Sequence, residues 1–449
     1  MSLSILAYFH AMAKVVNIAL KGRLPNWITR LLTSSRLIGL SKPRKEGEKL
    51  KLRPIGIGVV WLKLISKAAL RNHHRKILDY LQPFQFGLSS CGLESISQII
   101  QQTLKDNPSF VLFRGDIQNA FNSILRKTIF KEVEDQFPSL LPWVQCLYGN
   151  FSNLWTKSVD GTLVSIDSEE GVKQGETLGS ALFNIGIHAP ILKRLNKLLN
   201  PSLGESFGCV VAFHDDINFI VNPVAFSKMG LWNDFNLALS ECGLSINMTK
   251  SIIYMPLTIH DTAICKTQLP KGITIQTEGI EFAGTPIGTA QFCSDFWESS
   301  LIQDISEAIP LVCSWPDVQA ALCLFRLCIC SKFNFFLRLT DPSAVYSTNL
   351  VDKLHRLVKL GLSFVIDVTT TKHSYTEVND KVWQQSTLPS KRGGLSIPDP
   401  CRNHIPAYLA TYIAGSLSKL QLEDALGKIN DNSNLTVDSQ KTQVPIHEL

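Results

Sequence analysis

The pattern of apolar and polar positions changes twice along the chain. Helical periodicities dominate the first 105 residues and the region from about 296 onwards, whereas short apolar runs separated by turns fill the middle. Two runs, Phe110–Phe113 and Cys209–Phe213, have the length of buried strands, and the stretch 154–167 resembles a hairpin around Asp160-Gly161. The pattern predicts an α+β protein with a mixed sheet in the middle and helices at both ends. From residue 417 it predicts a polar, flexible tail.

The composition indicates a folded chain. Hydrophobic residues make up 45% of its 449 residues and charged residues 18%, which is enough apolar material for a sizeable core. We find no signal-peptide pattern and no run of 18 uninterrupted apolar residues, so no membrane span is predicted. The eleven cysteines lack CxxC pairs and zinc-ligand spacing, which favours reduced thiols. We expect an intracellular protein of the nucleus or the cytoplasm.

Basic residues are concentrated near the N-terminus. Residues 14–76 contain 16 Lys and Arg against two acids, a net charge of +14, so the remainder carries −8 within the total of +6. A basic segment on an acidic body is typical of a protein with a polyanionic partner, and a solvated basic face is the alternative.

Acidic residues follow two of the predicted strands. Asp116 ends the run FVLFRGD, and Asp215 and Asp216 lie together within CVVAFHDDINFIV. A carboxylate among apolar residues is costly unless it is paired or binds a metal, and adjacent carboxylates repel each other. If the three converge, their oxygens favour a hard cation such as Mg²⁺. A plain hairpin turn would explain Asp215 and Asp216 without a metal.

Eight segments resemble, in order and spacing, those of reverse transcriptases, most like the enzymes of non-LTR (LINE-type) retrotransposons, with group II intron enzymes as near relatives. Each segment alone is weak, but all eight occur between about residues 30 and 415. They are LSKPRKEGEKLKLRPIGIG (40–58), QFGLSSCGLESI (85–96), GDIQNAFNSI (115–124), VKQGETLGSALFNIGI (172–187), AFHDDINFIV (212–221), CGLSINMTKS (242–251), GIEFAGTPIG (279–288) and LPSKRGGLSIP (388–398).

The resemblance implies a right-hand polymerase with fingers, a ferredoxin-like palm sheet and a helical thumb. It assigns 1–105 to the fingers and N-terminal helices, 106–290 to the palm with inserted fingers or connection helices, 291–416 to the thumb and a C-terminal extension, and 417–449 to the tail. The implied enzyme is an RNA-directed DNA polymerase, a nucleotidyltransferase that extends a DNA primer 3′-OH with dNTPs on an RNA template by two-metal-ion catalysis.

The resemblance also implies roles at the metal centre. Asp116 and Asp215 would hold two Mg²⁺ ions, for which Mn²⁺ can substitute, with the carbonyl of Ile117 as a further ligand. Asp216 would be a partial ligand or lie just behind the metals, and its alternative is a turn acid without metal contact. Lys250 would protonate the pyrophosphate leaving group, or it is a surface lysine at a strand end.

Five further residues would bind the incoming nucleotide. Lys42 and Arg53 resemble the fingers cations that meet the triphosphate, although Lys42 competes with other nearby cations. Gln174 and Gly175 would open the loop beneath the templating base. Phe121, five residues after Asp116, resembles the aromatic gate that excludes a ribose 2′-OH and so favours DNA synthesis. A core aromatic is the alternative for Phe121.

The C-terminal helices would contact nucleic acid. Lys353, Arg356 and Lys359 follow one helical edge and could track the phosphates of the template–primer duplex, or they form a solvated face. His214, beside the paired aspartates, is expected to face solvent. The sequence departs from the family pattern at three places: Gln118 where Lys is common, Glu176-Thr177 for Asp-Pro, and Phe213-His214 for Tyr-Ala.

Two other functions remain open at this stage. The chain could be a catalytically weak or domesticated relic that binds RNA, or a group II intron maturase, although LPSKRGGLSIP argues against the maturase. We find no endonuclease, zinc-knuckle, RNase H or HNH pattern, so the chain is expected to be a polymerase piece of a larger element or a degraded or domesticated copy. Sequence alone predicts neither the oligomeric state nor the RNA bound.

Overall fold

The computed structural model describes residues 3–41, 52–201, 205–256, 267–342, 349–366 and 378–431. Its strands, numbered in chain order, are β1 (Ser35–Ser41), β2 (Leu52–Gly58), β3 (Val111–Asp116), β4 (Ser152–Lys157), β5 (Leu163–Ser168), β6 (Gly208–Phe213), β7 (Asp216–Val221), β8 (Ile252–Tyr254), β9 (Thr274–Gln276), β10 (Gly279–Phe282) and β11 (Thr285–Gly288).

Helices surround these strands and form both ends of the described chain. They are α1 (Leu3–Leu20), α2 (Asn26–Thr33), α3 (Val60–Leu81), α4 (Gly92–Asp106), α5 (Ala120–Ser123), α6 (Arg126–Gln136), α7 (Leu141–Tyr148), α8 (Gly179–Ile187), α9 (Arg194–Leu199), α10 (Val224–Lys228), α11 (Leu231–Glu241), α12 (Ala290–Phe296), α13 (Gln303–Cys313), α14 (Val318–Leu324), α15 (Cys330–Leu339), α16 (Leu350–Ile366), α17 (Asp380–Thr387) and α18 (Pro400–Asp431). Wider π-type turns continue α8, α12 and α14 at His188–Lys193, Trp297–Ile302 and Phe325–Ile329.

A five-stranded sheet lies at the centre, as the sequence predicts. Its strand order is β6-β7-β3-β8-β9, antiparallel except between β8 and β9. The apolar residues of β3, β6 and β7 are buried, and Phe113 and Phe219 pack edge-on against Phe235 of α11. Because almost every residue of these strands is buried, the polar residues that occur at their ends stand out. The predicted α+β fold class is confirmed.

The outer edge of β6 is completed by side chains and by a short chain segment. Such an edge leaves every second residue with unpaired backbone groups. The amide of Asn196 donates to the Val210 carbonyl at 2.8 Å and accepts from the Val210 N–H at 2.9 Å. Asn200 Nδ2, one helical turn later, donates to the Gly208 carbonyl at 3.0 Å. At Ala212 the partner is the backbone on either side of Gln85, with N–H···O distances of 2.8 Å.

The predicted hairpin around Asp160-Gly161 is present as β4 and β5, with Gly161 at a φ of +86°. It joins a separate four-stranded sheet of order β2-β1-β4-β5, in which β1 runs parallel to β4. The N-terminal strands and this hairpin therefore form one sheet, although more than a hundred residues separate β1 from β4 in the chain.

Helices α12 to α17 surround a second apolar core. Its buried residues are Trp297, Leu301, Ile305, Ile309, Cys313, Phe325, Ile329, Cys330, Phe333, Leu337, Leu350, Val351, Leu354, Val358, Leu362, Val365, Trp383 and Ile397. The helical periodicity that the sequence shows after residue 296 thus reflects a packed helical unit. Arg338 at its border lies 3.4 Å from Glu94 of α4, which ties this unit to the central sheet and its helices.

The C-terminal tail begins later than the sequence predicts. Residues 417–431 continue α18, and this long helix packs against α4 and α15. Leu422 is buried in the first core, and the Lys419 ammonium pairs with Asp106. These contacts with distant residues make a polar stretch helical, so the predicted tail is wrong for 417–431. Residues 432–449 lie outside the described residues.

One helical run among the described residues, Val318–Leu339, is long and apolar enough to cross a membrane by length and composition alone. The run did not stand out in the sequence because polar residues interrupt it. Phe325, Ile329 and Phe333 of this run are buried in the second core, which is the setting of a core helix.

We predict that Asn196→Ala destabilises the protein by about 2–4 kcal/mol, because it leaves the buried N–H and C=O of Val210 without partners. The matched control is Asn236→Ala, since Asn236 is a half-buried helical asparagine that donates only to the Trp232 carbonyl of its own helix. Urea denaturation of both variants measures the difference. Equal losses in the two variants would contradict a special role for Asn196 at the edge of β6.

Candidate active site

Three carboxylates meet where the central strands end. Asp116 is the last residue of β3 and pairs in register with Asp216, the first residue of β7. The β6–β7 hairpin turns through His214 and Asp215, since Phe213 pairs with Asp216. Asp116, Asp215 and Asp216 are all half-buried, and the charges of Asp116 and Asp216 both act on Asp215. The structure therefore brings together the three aspartates that the sequence singled out.

Burial and mutual repulsion disfavour ionisation of the paired aspartates Asp215 and Asp216. Burial, and after it the neighbouring charges of Asp216 and Asp116, raise the pKa of the Asp215 carboxyl to about 6. Burial also raises the pKa of Asp216, while Arg114 opposes that rise. No described residue forms an ion pair with Asp215. Asp216 and Asp116 each have a cation nearby, whereas Asp215 has no ion-pairing residue among the described ones.

Two basic residues flank the carboxylates. The Arg114 guanidinium lies 3.6 Å from Asp216 Oδ1 and also donates to the Glu281 carbonyl at 2.9 Å. Arg114 thereby links the carboxylates to the β10–β11 hairpin. Lys250 Nζ lies 3.7 Å from Asp116 Oδ2, with half of its side chain exposed. Lys250, predicted from its motif, is therefore at the site, whereas Arg114 was missed.

The buried side chain of Gln85 holds the turn that carries Asp215. Its Nε2 donates to the His214 carbonyl at 3.1 Å, and its Oε1 accepts from the N–H groups of His214 at 2.9 Å and Gly87 at 3.0 Å. His214 has a φ of +55°, an unusual conformation for a residue with a side chain. Gln85 thus fixes both backbone polar groups of a strained residue next to Asp215.

His214 does not face solvent as the sequence suggested. Its Nδ1 lies 3.1 Å from Asn184 Oδ1, and burial lowers the pKa of its imidazole. A Cβ at position 87 would lie 2.4 Å from this imidazole, so glycine at that position makes room for it. The segment QFGLSSCGLESI is therefore in contact with the aspartate hairpin, a role that its motif alone did not reveal.

Two hydrogen bonds hold the backbone of Asp116. Its backbone N–H donates to Ser251 Oγ at 3.1 Å, and its carbonyl accepts from the Asn247 N–H at 2.7 Å. Ile117, whose carbonyl was predicted as a metal ligand, follows directly and forms an isolated antiparallel bridge with Ile246. The segment CGLSINMTKS therefore fixes the backbone of the first aspartate and also supplies Lys250.

A backbone hydrogen bond joins two of the segments predicted to bind the nucleotide, Gln174-Gly175 and the strand β2 that carries Arg53. The Gln174 carbonyl accepts from the Gly56 N–H of β2 at 2.8 Å. Gly175 has a φ of +97°, and a Cβ there would lie 3.0 Å from the Gly56 carbonyl. Arg53, exposed on the same strand, is near enough for its charge to act on Asp215. Lys42 lies outside the described residues.

Phe121 is half-buried near His214, in the turn that carries Asp215. Its ring stacks on the fully buried Phe183 with centroids 4.6 Å apart, and its centroid lies 6.2 Å from that of His214. One face of the ring therefore belongs to the core, while the residue stays partly accessible. This position fits both the gate and the core-aromatic interpretations.

The three cations predicted on one helical edge do not form a common exposed surface. Lys353 pairs with Glu298, and Arg356 is exposed. The side chain of Lys359 is only 11% exposed, and its ammonium lies 3.2 Å from Asp380. Lys359 faces the helical core because helical spacing turns it inward beside Val358 and Leu362, so it does not share an exposed edge with Lys353 and Arg356.

The residues present fit a divalent cation at the three carboxylates. Their donor atoms are hard oxygens, and a raised pKa at Asp215 without an ion-pairing residue in the described structure is the electrostatic condition that a cation relieves.

Comparison with known proteins gives a family match over more than half of the chain. Residues 42–287 match the family described as reverse transcriptase (RNA-dependent DNA polymerase), whose members generally use divalent metals. A segment of 172 residues is 30% identical to the retrotransposable element SLACS 132 kDa protein of Trypanosoma brucei gambiense. That segment is 38% of this chain and 14% of the relative, so the match spans a small part of the relative's length.

Solved structures similar to this chain include two telomerases. Apo telomerase from Candida tropicalis is 11% identical with a TM-score of 0.46, over 89% of this chain and 64% of that chain. Telomerase from Candida albicans with a fragment of telomeric RNA is 12% identical with a TM-score of 0.40, over 82% of this chain and 64% of that chain.

We predict that Gln85→Glu introduces a pH-dependent instability. The new carboxylate would still accept the two N–H groups but would face the His214 carbonyl without a proton to donate. Burial would raise its pKa above the unfolded value near 4.3, so stability would be largest at low pH and lost as pH rises through the folded pKa. Urea denaturation from pH 5 to pH 8 should show a loss of about 2 kcal/mol that grows with pH.

Gln85→Ala provides the comparison, because alanine removes the donor and the acceptor at every pH. If Gln85→Glu and Gln85→Ala lose the same free energy of unfolding at every pH, Gln85 does not hold the turn through its donated hydrogen bond.

Proposed function

The chain belongs to the reverse transcriptase (RNA-dependent DNA polymerase) family, and we propose that it extends a primer 3′-OH with dNTPs on an RNA template. The observation that carries the proposal is the convergence of Asp116, Asp215 and Asp216 at the end of the central sheet, inside the matched residues. In a relic without catalysis nothing would require these carboxylates, with their unfavourable electrostatics, to remain together.

We assign the parts of the right hand on this basis. The sheet β2-β1-β4-β5 and its helices would be the fingers, the five-stranded sheet the palm, and helices α12 to α17 the thumb. The hairpin β4–β5 would be part of the fingers, within the range 106–290 that the sequence assigned to the palm with inserted fingers or connection helices. Helix α18 would return from the thumb to α4 beside the palm sheet.

Asp116 and Asp215 would hold two Mg²⁺ ions, with Asp216 and the Ile117 carbonyl as further oxygen ligands, and Mn²⁺ can substitute. Bound there, the metals would supply charge stabilisation for the attacking and leaving oxygens. The protein's own contribution is orientation, because Gln85 holds the turn of Asp215 and Ser251 holds the backbone of Asp116.

The flanking cations have roles that follow from their positions. Arg53 would contact the triphosphate, since its exposed guanidinium can bridge phosphate oxygens. Lys250 would leave Asp116 when metal binds and donate a proton to the pyrophosphate. Gln174 and Gly175, held against Gly56, would set the distance between fingers and palm. Lys353 and Arg356 remain candidates for contact with duplex phosphates.

A retroelement origin is part of the proposal. The identity to a retrotransposable element protein of Trypanosoma brucei gambiense supports it, and the shared segment is a small part of that protein. We therefore propose that the polymerase acts on the RNA of a non-LTR element, with an RNA template and a DNA primer as its partners.

We predict that Asp215→Asn abolishes primer extension while it stabilises the metal-free protein. An aspartate whose folded pKa is raised to about 6 costs stability above its unfolded pKa near 4, and the cost is fully present above pH 6. Removing the ionisable group should raise the free energy of unfolding at pH 7 by on the order of 2 kcal/mol, with little change at pH 4.

The measurements are urea denaturation with chelator present and primer extension with Mg²⁺ on a primed RNA template. Asp295→Asn, on an exposed helix, is the control and should change neither. Retained extension in Asp215→Asn would overturn the catalytic role. If the parent protein binds RNA but does not extend the primer, the chain is the RNA-binding relic.

We predict that Phe121→Val lowers the preference for dNTPs over NTPs by about 5–150-fold, since relief of a steric overlap of this size is worth about 1–3 kcal/mol. The measurement is the ratio of kcat/KM for dNTPs and NTPs in the parent and the variant. Phe130→Val, at a partly buried phenylalanine elsewhere against the same core, controls for lost packing. An unchanged ratio in folded Phe121→Val would show that Phe121 is only a core aromatic.

A further inference from the structure

Three metal-binding side chains of different chemistry meet far along the chain from the carboxylate site. His355 lies on α16, and Asp399 and Cys401 lie where α18 begins. One ligand atom from each residue lies within 4.8 Å of the other two, and His355 Nδ1 is 3.2 Å from Asp399 Oδ1. Within the part of the chain that the structure describes, this is the one such group of histidine, cysteine and acidic side chains.

The donor set is selective. An imidazole nitrogen, a thiolate sulfur and a carboxylate oxygen together suit Zn²⁺, whereas Mg²⁺ and Ca²⁺ prefer oxygen ligands alone. Zinc bonds of roughly 2.0–2.3 Å place neighbouring donors about 3.3–3.8 Å apart in a tetrahedron. The three donors would need to approach one another by about 1 Å, which side-chain rotation at the exposed Cys401 can supply.

The surroundings support an oriented site. The Trp383 ring packs edge-on against the His355 imidazole at 5.0 Å, which restricts its rotation while Nδ1 points to Asp399. The Asp399 side chain is only 8% exposed, and its Oδ2 lies 3.6 Å from Arg402 Nε, beyond a good hydrogen bond. Exposed Cys401 leaves the fourth position of a tetrahedral ion open to solvent.

We propose that Zn²⁺ binds to His355, Asp399 and Cys401, with water in the fourth position. Binding joins the Cys401 sulfur to the metal and releases its proton to solvent, without any change of oxidation state. The site does not depend on the proposed polymerase function.

The position of this site gives the metal a structural task. Ile397, just before α18, is buried in the helical second core, whereas Leu422 near the other end of α18 is buried in the core of the central sheet. Helix α18 therefore connects the two cores. A metal that joins α16 to the start of α18 would fix the helical unit relative to the sheet.

The competing explanation requires no metal. Asp399 Oδ1 also accepts from the Cys401 N–H at 3.0 Å, as a helix-capping residue does, and a protonated His355 would pair with the same carboxylate. In that case Cys401 would be an exposed cysteine without a role, and the cluster would bind transition metals no better than the rest of the surface.

Cobalt substitution separates the two explanations. Metal-depleted full-length protein is titrated with Co²⁺ in excess Mg²⁺, which occupies the oxygen-only carboxylate site. We expect one equivalent of Co²⁺ to give tetrahedral d–d bands and a thiolate-to-metal charge-transfer band, and Zn²⁺ to displace it and raise the unfolding temperature. Cys401→Ser should remove the charge-transfer band, and His355→Gln should weaken binding at least tenfold.

Cys328→Ser is the matched control, because Cys328 is an exposed cysteine of the same helical unit outside the cluster. It should keep the band and the thermal shift. Absence of a charge-transfer band in the parent protein, or a band that persists in folded Cys401→Ser, would overturn the proposal and leave the capping ion pair as the explanation.

Discussion

Repulsion among three half-buried carboxylates is the constraint on which the central part of this structure depends. Asp116, Asp215 and Asp216 cannot all ionise in their surroundings without cost, as the raised pKa of Asp215 indicates. Their positions are therefore held through the backbone. Gln85 binds the turn before Asp215, and Ser251 binds the N–H of Asp116. Backbone anchoring does not use the carboxylate oxygens, and Asp215 has no ion-pairing residue among the described ones.

The same logic extends outward to the sheet edge. The side-chain amide of Asn196 hydrogen-bonds the backbone of Val210, and the backbone of Ala212 pairs with the chain beside Gln85. The outer edge of the strand that leads to Asp215 is therefore hydrogen-bonded at both residues. The contact between Gln174 and Gly56 ties the loop before α8 to the strand that carries Arg53. These contacts pair the outer edge of β6 up to the aspartate hairpin and join the loop before α8 to β2.

Local patterns predicted what depends on neighbours in the chain. Apolar strands that end in aspartate, and the hairpin at Asp160-Gly161, were predictable because strand length and turn chemistry are local. What depends on distant partners was not. Lys359 faces the core, and 417–431 is helical because Leu422 meets a buried surface formed by earlier residues. Gln85 carried no visible sign of its contact with His214, since 129 positions separate them.

At two of the three departures from the family pattern, the replacing side chain makes a specific contact in this structure. His214 replaces a smaller residue in the turn, and its imidazole occupies space that a side chain at position 87 would need. Gly87 and Asn184 therefore form one packing unit with His214, and a larger residue at 87 would displace the turn. Glu176-Thr177 likewise replaces Asp-Pro, and the loop without the rigid proline is held by Glu176, whose Oε2 accepts from the Leu178 N–H at 2.7 Å. Both departures concern residues that hold the backbone near the site. Neither replaces one of the three carboxylates, so the oxygen ligands available to a cation are the same.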